Sequence, residues 1–556
     1  MKKRKLMSLL LVLAMAVGLI SGCGVGSKEE AGETSEQEES DAKNTVVYGT
    51  PTAPAGTFNP VLAFMGTDNR VDELVYASLL QTKPDGSLEG YLAEDYQVDG
   101  NTITFTVRDG VKWQDGEDFT MDDIVFTLES VAKTDDDFSK VSSIVGAQEF
   151  KDGTADSISG LTVSGNTITM ELSEIYAPFL TQVGTLGIIP KHVWEEVPFE
   201  EWEENTELLN NPVGCGPYQI AEYNPGESVE FTAFEDFFGG KPAIDNFVIK
   251  VVNADAIAAE LTSGNIDFVD VKELNSTEVD ELEEEGFTRY SIADEMYQYI
   301  SFNMRLPIFQ DKNLRQAMTY AIDREAILAN IVEGRGTLLN APFIPGGWAD
   351  PDVSELNTYD YNEEKAIELL EESGWTDADG DGIRENADGE KLQFTLRCSN
   401  DSKTREKAVL YVKECLAKVG IDVEVSVEED GVMAEDCIYN HNYEMYALNC
   451  YFGEDPDPYF WWHSDSASDE PGTASFNFGS YKNDLVDANI IAGQQTMDQE
   501  ERSALYLDVA KQINEDAPMI FLYVQNREIM CNSKLEGFDP GTFNLFYNVA
   551  NWTFAE

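Results

Sequence analysis

The chain has 556 residues, of which 42% are hydrophobic and 11% aromatic, and its formal net charge at pH 7 is −67. A single hydrophobic core rarely serves a chain of this length, so we expect two or three domains. So acidic a surface repels phosphate backbones and anionic lipid head groups, which argues against nucleic acid as a partner and mildly favours cationic ligands. The same charge equally fits a secreted protein that is kept soluble.

The N-terminus has the pattern of an export leader. Met1–Lys5 is basic, and residues 6–20 form an apolar segment that is short for a membrane span. The next residues, Ile20 to Cys23 (ISGC), resemble the lipobox of bacterial lipoproteins, which implies cleavage before Cys23 and its diacylation. We therefore expect residues 1–22 to be a lipoprotein signal peptide, and the mature protein to be lipid-anchored on the outer face of the cell membrane. Ordinary signal-peptide cleavage, with Cys23 incidental, is the alternative.

The segment after the leader is small, polar and acidic. Residues 23–44 have few side chains to bury, so we expect a disordered tether between the lipid and the folded part. Six further cysteines follow in the chain without a CxxC pair, so no zinc or thioredoxin site is indicated. They stand at positions 215, 398, 415, 437, 450 and 531. Export permits disulfides, and free buried thiols are the equal alternative.

The first half of the chain alternates between strands, loops and helices. Thr45–Tyr48 begins a strand, and the Gly- and Pro-rich loop 49–60 follows it. Loops that leave the first strand of an α/β domain often reach the ligand crevice, and we expect this one to do so. Apolar spacing then predicts a helix over 70–80 and a strand over 102–107. A Thr-x-x-Asp capping box at 120–123 predicts the start of another helix.

The second half of the chain has clearer helices. Apolar residues at i, i+3, i+4, i+7 and i+8 predict a helix over 314–322, and similar patterns predict helices over 362–373 and 408–419. Strand patterns occupy 421–427 and 519–524. Because strands and helices recur in alternation, we predict the α/β class.

Six stretches, in this order, resemble the family 5 solute-binding proteins of bacterial ABC importers, the type that binds dipeptides, oligopeptides or nickel. The matching stretches are Arg108–Val125 (RDGVKWQDGEDFTMDDIV), Asn211–Tyr218 (NPVGCGPY), Gly239–Pro242 (GGKP), Leu261–Asp267 (LTSGNID), Leu314–Glu325 (LRQAMTYAIDRE) and Glu515–Pro518 (EDAP). Their order and spacing cover nearly the whole chain after residue 46. The resemblance implies a bilobed periplasmic-binding-protein-like fold, in which two α/β lobes joined by two crossing strands close over a ligand by hinge motion.

The resemblance also implies a domain plan and a function. Lobe I comprises residues 46–56, 186–290 and 515–556, a small β-rich subdomain occupies 57–184, and lobe II occupies 292–514. The implied function is to capture a solute, with a peptide placed first, and deliver it to the permease of an ABC transporter. A sugar, a nickel complex or a signalling peptide remains the alternative ligand. We expect a monomer without enzymatic activity.

Residues 446–463 (YALNCYFGEDPDPYFWWH) contain the main candidate for a ligand site. A buried strand ends at Gly453, and an acidic turn with two prolines follows it and leads into a run of aromatic residues. The acids can fix a cationic group while the rings cover apolar surface. The alternative is that the rings are core and the turn is solvated. The candidate ligand-binding residues are Thr57, Phe58 and Asn59 of the first loop, together with Phe452, Gly453, Glu454, Asp455, Trp461 and Trp462.

One position departs from the peptide binders that the chain resembles. In those proteins an Asp that holds the peptide α-amino group lies four residues before the Pro of the acidic turn. Counting back from Pro456 gives Phe452 here. A phenyl ring cannot form the charge-assisted hydrogen bonds of a carboxylate. Either Glu454 or Asp455 replaces that Asp, or the ligand is not a peptide with a free amine.

Two rival functional classes have weaker signals. The chain has three His and neither a GxSxG elbow nor an HExxH motif, so no nucleophile–base pair indicates an enzyme. Residues 377–382 (DADGDG) reproduce the first half of an EF-hand calcium loop. A structural calcium there is an alternative to our expectation of a plain turn and no cofactor. The candidate metal ligands are Asp377, Asp379, Asp381 and Asp388.

Overall fold

The computed structural model describes residues 44–63, 66–135, 138–272, 274–473 and 475–555. The expected signal peptide, Cys23 and nearly all of the expected tether lie outside these residues. Within the described ranges, no helix is both long enough and apolar enough to span a membrane.

Strands and helices alternate along the described chain, which confirms the predicted α/β class. The strands are β1 Thr45–Thr50, β2 Leu80–Thr82, β3 Leu88–Gly90, β4 Ala93–Asp99, β5 Thr102–Val107, β6 Leu161–Ser164, β7 Thr167–Glu171, β8 Tyr218–Asn224, β9 Ser228–Ala233, β10 Asn246–Val251, β11 Phe268–Asp270, β12 Thr288–Phe302, β13 Gly336–Leu338, β14 Gln393–Ser399, β15 Asp422–Glu428, β16 Met445–Tyr451, β17 Met519–Cys531, β18 Leu535–Glu536 and β19 Thr553–Phe554. The helices are α1 Gly66–Val75, α2 Met121–Lys133, α3 Phe138–Val141, α4 Ala147–Lys151, α5 Phe179–Gly184, α6 Lys191–Trp194, α7 Thr206–Asn210, α8 Ile257–Thr262, α9 Ser276–Glu284, α10 Lys312–Tyr320, α11 Arg324–Asn330, α12 Glu363–Glu372, α13 Lys403–Lys418, α14 Asp430–Ala434, α15 Tyr459–Trp462, α16 Asp484–Gln494 and α17 Gln499–Asp516.

One large sheet runs through both lobes. Its strand order is β15-β14-β16-β12-β17-β11-β1-β10-β9-β8, and β13 pairs with β17 beside this path. Parallel pairs lie on both sides of the antiparallel centre that β12 and β17 form. Parallel strands need crossover connections, and the helices between them supply these.

The segment predicted to be a β-rich subdomain contains a separate antiparallel sheet, β4-β5-β7-β6. Alternate residues of β5 are buried, as its sequence pattern predicts. Two of them, Ile103 and Phe105, lie in the same hydrophobic core as Val46 of β1 and Phe247 of β10. The subdomain therefore shares its core with lobe I.

Two long strands, β12 and β17, cross between the lobes. On β12, Tyr290 packs against the core of lobe I, whereas Tyr297 is buried in a core of lobe II. On β17 the direction is reversed, because Val524 lies in lobe II and Ile529 in lobe I. The β12–β17 register shifts between residues 293 and 297, where the strands change sides. The predicted bilobed fold is confirmed, but the chain returns to lobe I inside β17, later than the expected residue 515.

Local capping residues set several helix starts. At α2, the Asp123 carboxylate accepts a hydrogen bond from the Thr120 amide at 2.7 Å and completes the predicted capping box. At α11 the N-cap residue itself is the acceptor, because the Asp323 carboxylate accepts a hydrogen bond from the Ala326 amide at 2.9 Å. Each cap satisfies amides that the first helical turn leaves without intrahelical partners.

The six cysteines of the described chain are buried and unpaired. Of the two alternatives, the structure therefore shows free buried thiols. Burial raises the pKa of Cys215 and that of Cys437 to about 12. Because the thiolate is the reactive form, such thiols are inert at neutral pH.

Candidate ligand-binding site

A cavity of about 760 Å³ lies between the two lobes. The lobe I side of its wall comes from α1, from α5 and the residues that flank it, from the loop near residues 237–239, and from residues 543–551. Lobe II contributes Gly453, Glu454, Asp455, Asp457, Phe460 and Trp461. This volume falls within the roughly 300–1,000 Å³ that is usual for small-ligand sites. Lobe II thus reaches the cavity through the stretch that the sequence singled out.

Four of the nine predicted ligand-binding residues line this cavity. They are Gly453, Glu454, Asp455 and Trp461. Strand β16 ends at Tyr451, and the two prolines of the acidic turn prevent further sheet pairing, so the turn projects from the end of the sheet. This local geometry is what the sequence pattern predicted.

Two aromatic candidates lie in the core of lobe II. Phe452 is 9% exposed, and its ring centroid lies 4.9 Å from that of Tyr297. Trp462 is 1% exposed and packs against Phe521 with ring centroids 5.9 Å apart. Neither side chain is part of the wall of the 760 Å³ cavity. Their apolar surface is already covered by core neighbours, so we assign both to packing.

The predicted contacts in the first loop also lie away from the cavity wall. Phe58 and Asn59 are fully buried, and Thr57 is half-buried outside the lining. Asp68 of α1 holds the loop, because its carboxylate accepts a hydrogen bond from the Gly56 amide at 3.0 Å. Gly56 adopts φ +92°, a conformation that favours glycine. The loop therefore forms a fixed support behind the cavity.

In the acidic turn, Asp455 is engaged by an arginine of its own lobe. Its carboxylate oxygens lie 2.7 Å and 2.5 Å from the two terminal nitrogens of Arg502. Arg502 is 5% exposed, and its guanidinium lies 5.3 Å from the ring centroid of Trp348. A bidentate pair of this kind neutralises the carboxylate. A ligand cation would have to compete with a buried guanidinium for Asp455.

The other two acids of the turn are also engaged. Glu454 contacts the hydroxyl of Thr82, and its second oxygen lies 3.1 Å from the Thr185 hydroxyl, so it joins lobe II to the subdomain. Burial raises the pKa of Glu454. Asp457 accepts a hydrogen bond from the Gln494 amide at 2.8 Å, and burial raises its pKa to about 6.

Helix α1 carries a second set of acids, which the sequence analysis missed. Asp72 and Glu73 both line the cavity, and Glu73 is paired with Arg70. Asp72 is 9% exposed, yet neither of its carboxylate oxygens has a hydrogen-bond partner among the described residues. Burial raises the pKa of Asp72 well above its ordinary value, and the charges of Asp68 and Glu73 raise it further.

A sequence signal for these acids does exist. Asp68 and Asp72 are four residues apart and share the buried face of α1 with Val71, Leu74 and Val75. Charged residues within the apolar stripe of a helix contradict ordinary amphipathic patterning. Such a contradiction is expected at functional sites. The predicted helix over 70–80 began too late to include Asp68, since the structure starts α1 at residue 66.

The cavity wall also carries cations. Arg108 and Lys140 line it. Arg108 donates from Nε to the Tyr91 carbonyl at 2.7 Å, and its guanidinium lies 5.8 Å from the ring centroid of Phe238. No described carboxylate forms an ion pair with Arg108. The wall therefore presents charge of both signs.

The DADGDG loop folds back on itself. The Asp377 carboxylate accepts from the Gly380 amide at 2.8 Å and from the Gly382 amide at 3.2 Å. Lys391 pairs with both Asp379 and Asp381. The loop's own backbone and this lysine thus satisfy three of the four predicted metal ligands.

The acid that approaches the loop differs from the one predicted. Carboxylate oxygens of Asp377, Asp379 and Glu385 lie within 4.8 Å of one another, and Asp388 is not in this group. The Glu385 side chain lies beside the loop because its carboxylate accepts a hydrogen bond from the Ala378 amide at 2.9 Å. The backbone of Glu385 forms isolated antiparallel β-bridges with one residue earlier in the chain and one later.

The two lobes, the crossing strands and the cavity between the lobes define a bilobed solute-binding protein. The model of the family described as bacterial extracellular solute-binding proteins, family 5 Middle, matches residues 87–471. The chain belongs to this family, and the resemblance read from its six motifs is confirmed.

Known relatives agree in length and fold. The oligopeptide-binding protein AppA of Bacillus subtilis is 29% identical over 572 residues, which cover 100% of both chains. Heme-binding protein A of Haemophilus influenzae is 27% identical over 574 residues, which cover 97% of this chain and 98% of that protein. The solved structure of B. subtilis AppA in complex with a nonapeptide has a TM-score of 0.70 at 27% identity, and the match covers 93% of this chain and 99% of AppA.

Proposed function

We propose that this protein captures a peptide between its lobes and delivers it to the permease of an ABC importer. The observation that carries the proposal is the 760 Å³ cavity, whose wall comes from both lobes and presents acids and cations together. A peptide has a cationic end, an anionic end and apolar side chains, so it matches such a wall. Full-length similarity to an oligopeptide-binding protein supports the same ligand class.

Contacts between the subdomain and lobe II support capture by closure. Besides the contacts of Glu454, the Ala177 amide donates to the Gln494 carbonyl at 2.6 Å, and the Gln495 amide lies 3.3 Å from the Glu174 carboxylate. A ligand that touches both lobes binds the closed arrangement in preference to an open one, and so shifts the population towards closure.

We further propose that the mature protein is a monomer anchored to the membrane by a diacyl group on Cys23, and that it does not turn over its ligand. The ISGC sequence after an apolar segment supports the anchor. Membrane fractionation of wild type and Cys23→Ala tests it, because the variant should leave the membrane fraction while remaining folded. Retention of the variant in the membrane would contradict the anchor.

Native mass spectrometry of the purified protein, followed by titration with synthetic peptides, tests the ligand class. We expect co-purifying peptides, and a library peptide that stabilises the protein by about 2.7 kcal/mol at 100 times its dissociation constant. Small-angle scattering should show compaction in the same titration. A co-purifying sugar or metal complex, together with no response to peptides, would reject the peptide and retain solute capture.

A further inference from the structure

We infer that the loop of residues 377–388 binds one calcium ion, held by the carboxylates of Asp377, Asp379 and Glu385. This site is separate from the one proposed for the solute, because none of the three residues lines the cavity between the lobes. The loop connects α12 to β14 within lobe II. The ion therefore has a structural role, in which it fixes this connection and does not contact the captured solute.

Three carboxylates of the loop converge on one position. Oxygens of Asp377, Asp379 and Glu385 lie within 4.8 Å of one another. Calcium takes six to eight oxygen ligands at about 2.3–2.6 Å, so two oxygens bound to the same ion are at most about 5 Å apart. Each carboxylate oxygen has two lone pairs, and one that accepts a backbone amide can still bind a cation. The three side chains can therefore share one ion without giving up the hydrogen bonds that fold the loop.

The buried carboxylate of Glu385 is the observation that points to a ligand. Glu385 is 8% exposed, and its Oε1 accepts hydrogen bonds from the Ala378 amide at 2.9 Å and from the Asp379 amide at 3.2 Å. These two bonds direct the carboxylate into the group of acids. Its Oε2 is buried and has no donor among the described residues. A buried carboxylate oxygen without a donor is unfavourable, and a bound cation removes that cost.

The order of residues in the loop favours calcium over other cations. An EF-hand loop takes its ligands from positions 1, 3, 5, 7, 9 and 12 and has glycine at position 6. Counted from Asp377, position 9 is Glu385, and position 6 is Gly382 with φ +91°. Position 12 is Asp388, which lies outside the group of acids. The bidentate glutamate of that position is absent, so we expect the weak affinity of extracellular calcium modules, with a dissociation constant of about 10⁻⁴–10⁻³ M.

One lysine competes with the ion at the exposed side of the loop. The Lys391 ammonium lies 3.2 Å from the Asp379 carboxylate and also contacts Asp381, and the three side chains are between 28% and 55% exposed. Exposed ion pairs of this kind contribute little to stability, so a divalent ion displaces the lysine at small cost. Arg384 does not compete, since its Nε donates to the Val419 carbonyl at 2.9 Å. Within the described chain Lys391 forms no ion pair with Glu385, whose buried oxygen is left for the metal.

Calcium titration of the purified protein, first freed of metal with EGTA, tests the site. Calorimetry should show one ion bound with a dissociation constant of about 10⁻⁴–10⁻³ M. At ten times that concentration, hydrogen exchange of residues 376–391 should slow about tenfold, because the loop must release the ion before it opens. Magnesium at the same concentration should not protect the loop, since it demands a tighter octahedral shell. Salt at about 0.15 M screens the net charge of −67 equally for both ions.

Three variants of the loop sharpen the titration. Glu385→Gln keeps an acceptor for the two amides but removes the buried charge, and it should weaken calcium binding at least about tenfold. Asp388→Asn is the matched control, because it neutralises an acid of the same loop outside the group, and it should change affinity less than about threefold. Lys391→Met removes the competing cation and should tighten binding about two- to fivefold. Thermal unfolding in EGTA checks that each variant is folded.

Equal calcium affinity in wild type, Glu385→Gln and Asp388→Asn would overturn the site in favour of diffuse screening, and so would equal protection by magnesium. Binding by Lys391→Met alone would show that the lysine replaces the metal in the native protein, which also overturns the proposal. If Glu385→Gln does not fold, the wild-type titration and the gain in Lys391→Met decide, and no binding by either would overturn the site. None of these outcomes affects the proposed capture of a peptide, because the loop lies outside the cavity.

Discussion

Both walls of the cavity carry acids, but the partners of these acids differ between the two walls. In the turn of lobe II, Asp455 lies in a bidentate pair with Arg502, and Glu454 contacts hydroxyl groups across the cleft. On α1, Asp72 is buried with no donor in the described chain. The comparison teaches that the density of acids along a sequence does not identify the acid that the fold leaves without a hydrogen-bond donor. What matters is whether the fold supplies it with a partner.

The largest effect on stability should come from replacing an aspartate of the lobe II turn with asparagine. Asp455→Asn leaves the guanidinium of Arg502 buried beside a neutral amide, and breaking a buried pair in this way destabilises by about 3–5 kcal/mol. Urea unfolding measures the loss. The double variant Asp455→Leu with Arg502→Met removes both charges and should recover most of it. A single variant as stable as wild type would show that the turn acid is not structural.

The next largest effect is the change in folding stability with pH that Asp457 causes. Burial raises the pKa of Asp457 from 3.8 to about 6, so the folded state binds this proton more tightly than the unfolded state does. The resulting stabilisation is complete below pH 3.8 and is lost as pH rises through 6, a change of about 2–3 kcal/mol. Other acids titrate in this range, so the difference between wild type and Asp457→Asn is measured at pH 4 and pH 7. The variant should gain relative to wild type at pH 7, and a constant difference would refute the shift.

Asp72→Asn should have the opposite sign to Asp455→Asn. It replaces a carboxyl group whose charged form burial disfavours with a neutral amide, so ligand-free stability at pH 7 should rise by about 1 kcal/mol. Urea unfolding under the same conditions gives the comparison. A loss of 3 kcal/mol or more, as expected of a broken pair, would mean that Asp72 has a structural partner and that the two walls do not differ.

The smallest effect is expected for Glu454→Gln. The amide keeps one acceptor for the Thr82 hydroxyl and loses only the charge assistance, so closure should weaken by about 1 kcal/mol. Affinity should fall up to about fivefold, and equally for free and acetylated peptides, since Glu454 acts on closure. A loss confined to free-amine peptides would instead make Glu454 the amine-binding acid that the sequence suggested.

Much of the fold followed from local patterns. Alternating burial in β5 and the capping box at α2 matched their sequence signals, because each depends on residues only a few positions apart. The end of β16 and the turn after it were likewise predictable from Gly453 and the two prolines. The exact return to lobe I was not, because β17 continues as one strand across both cores and no turn residue marks the change.

For the candidate site, the sequence by itself determined the family, the acidic turn at the cavity and the absence of an acid at Phe452. These depend on the order of residues along the chain. Only the tertiary structure decided which acids remain without partners, because those partners come from far away. Arg502 lies 47 positions from Asp455, and Thr82 lies 372 positions from Glu454. Among the described residues the fold brings no donor to Asp72, and the absence of a distant neighbour leaves no mark in the local sequence.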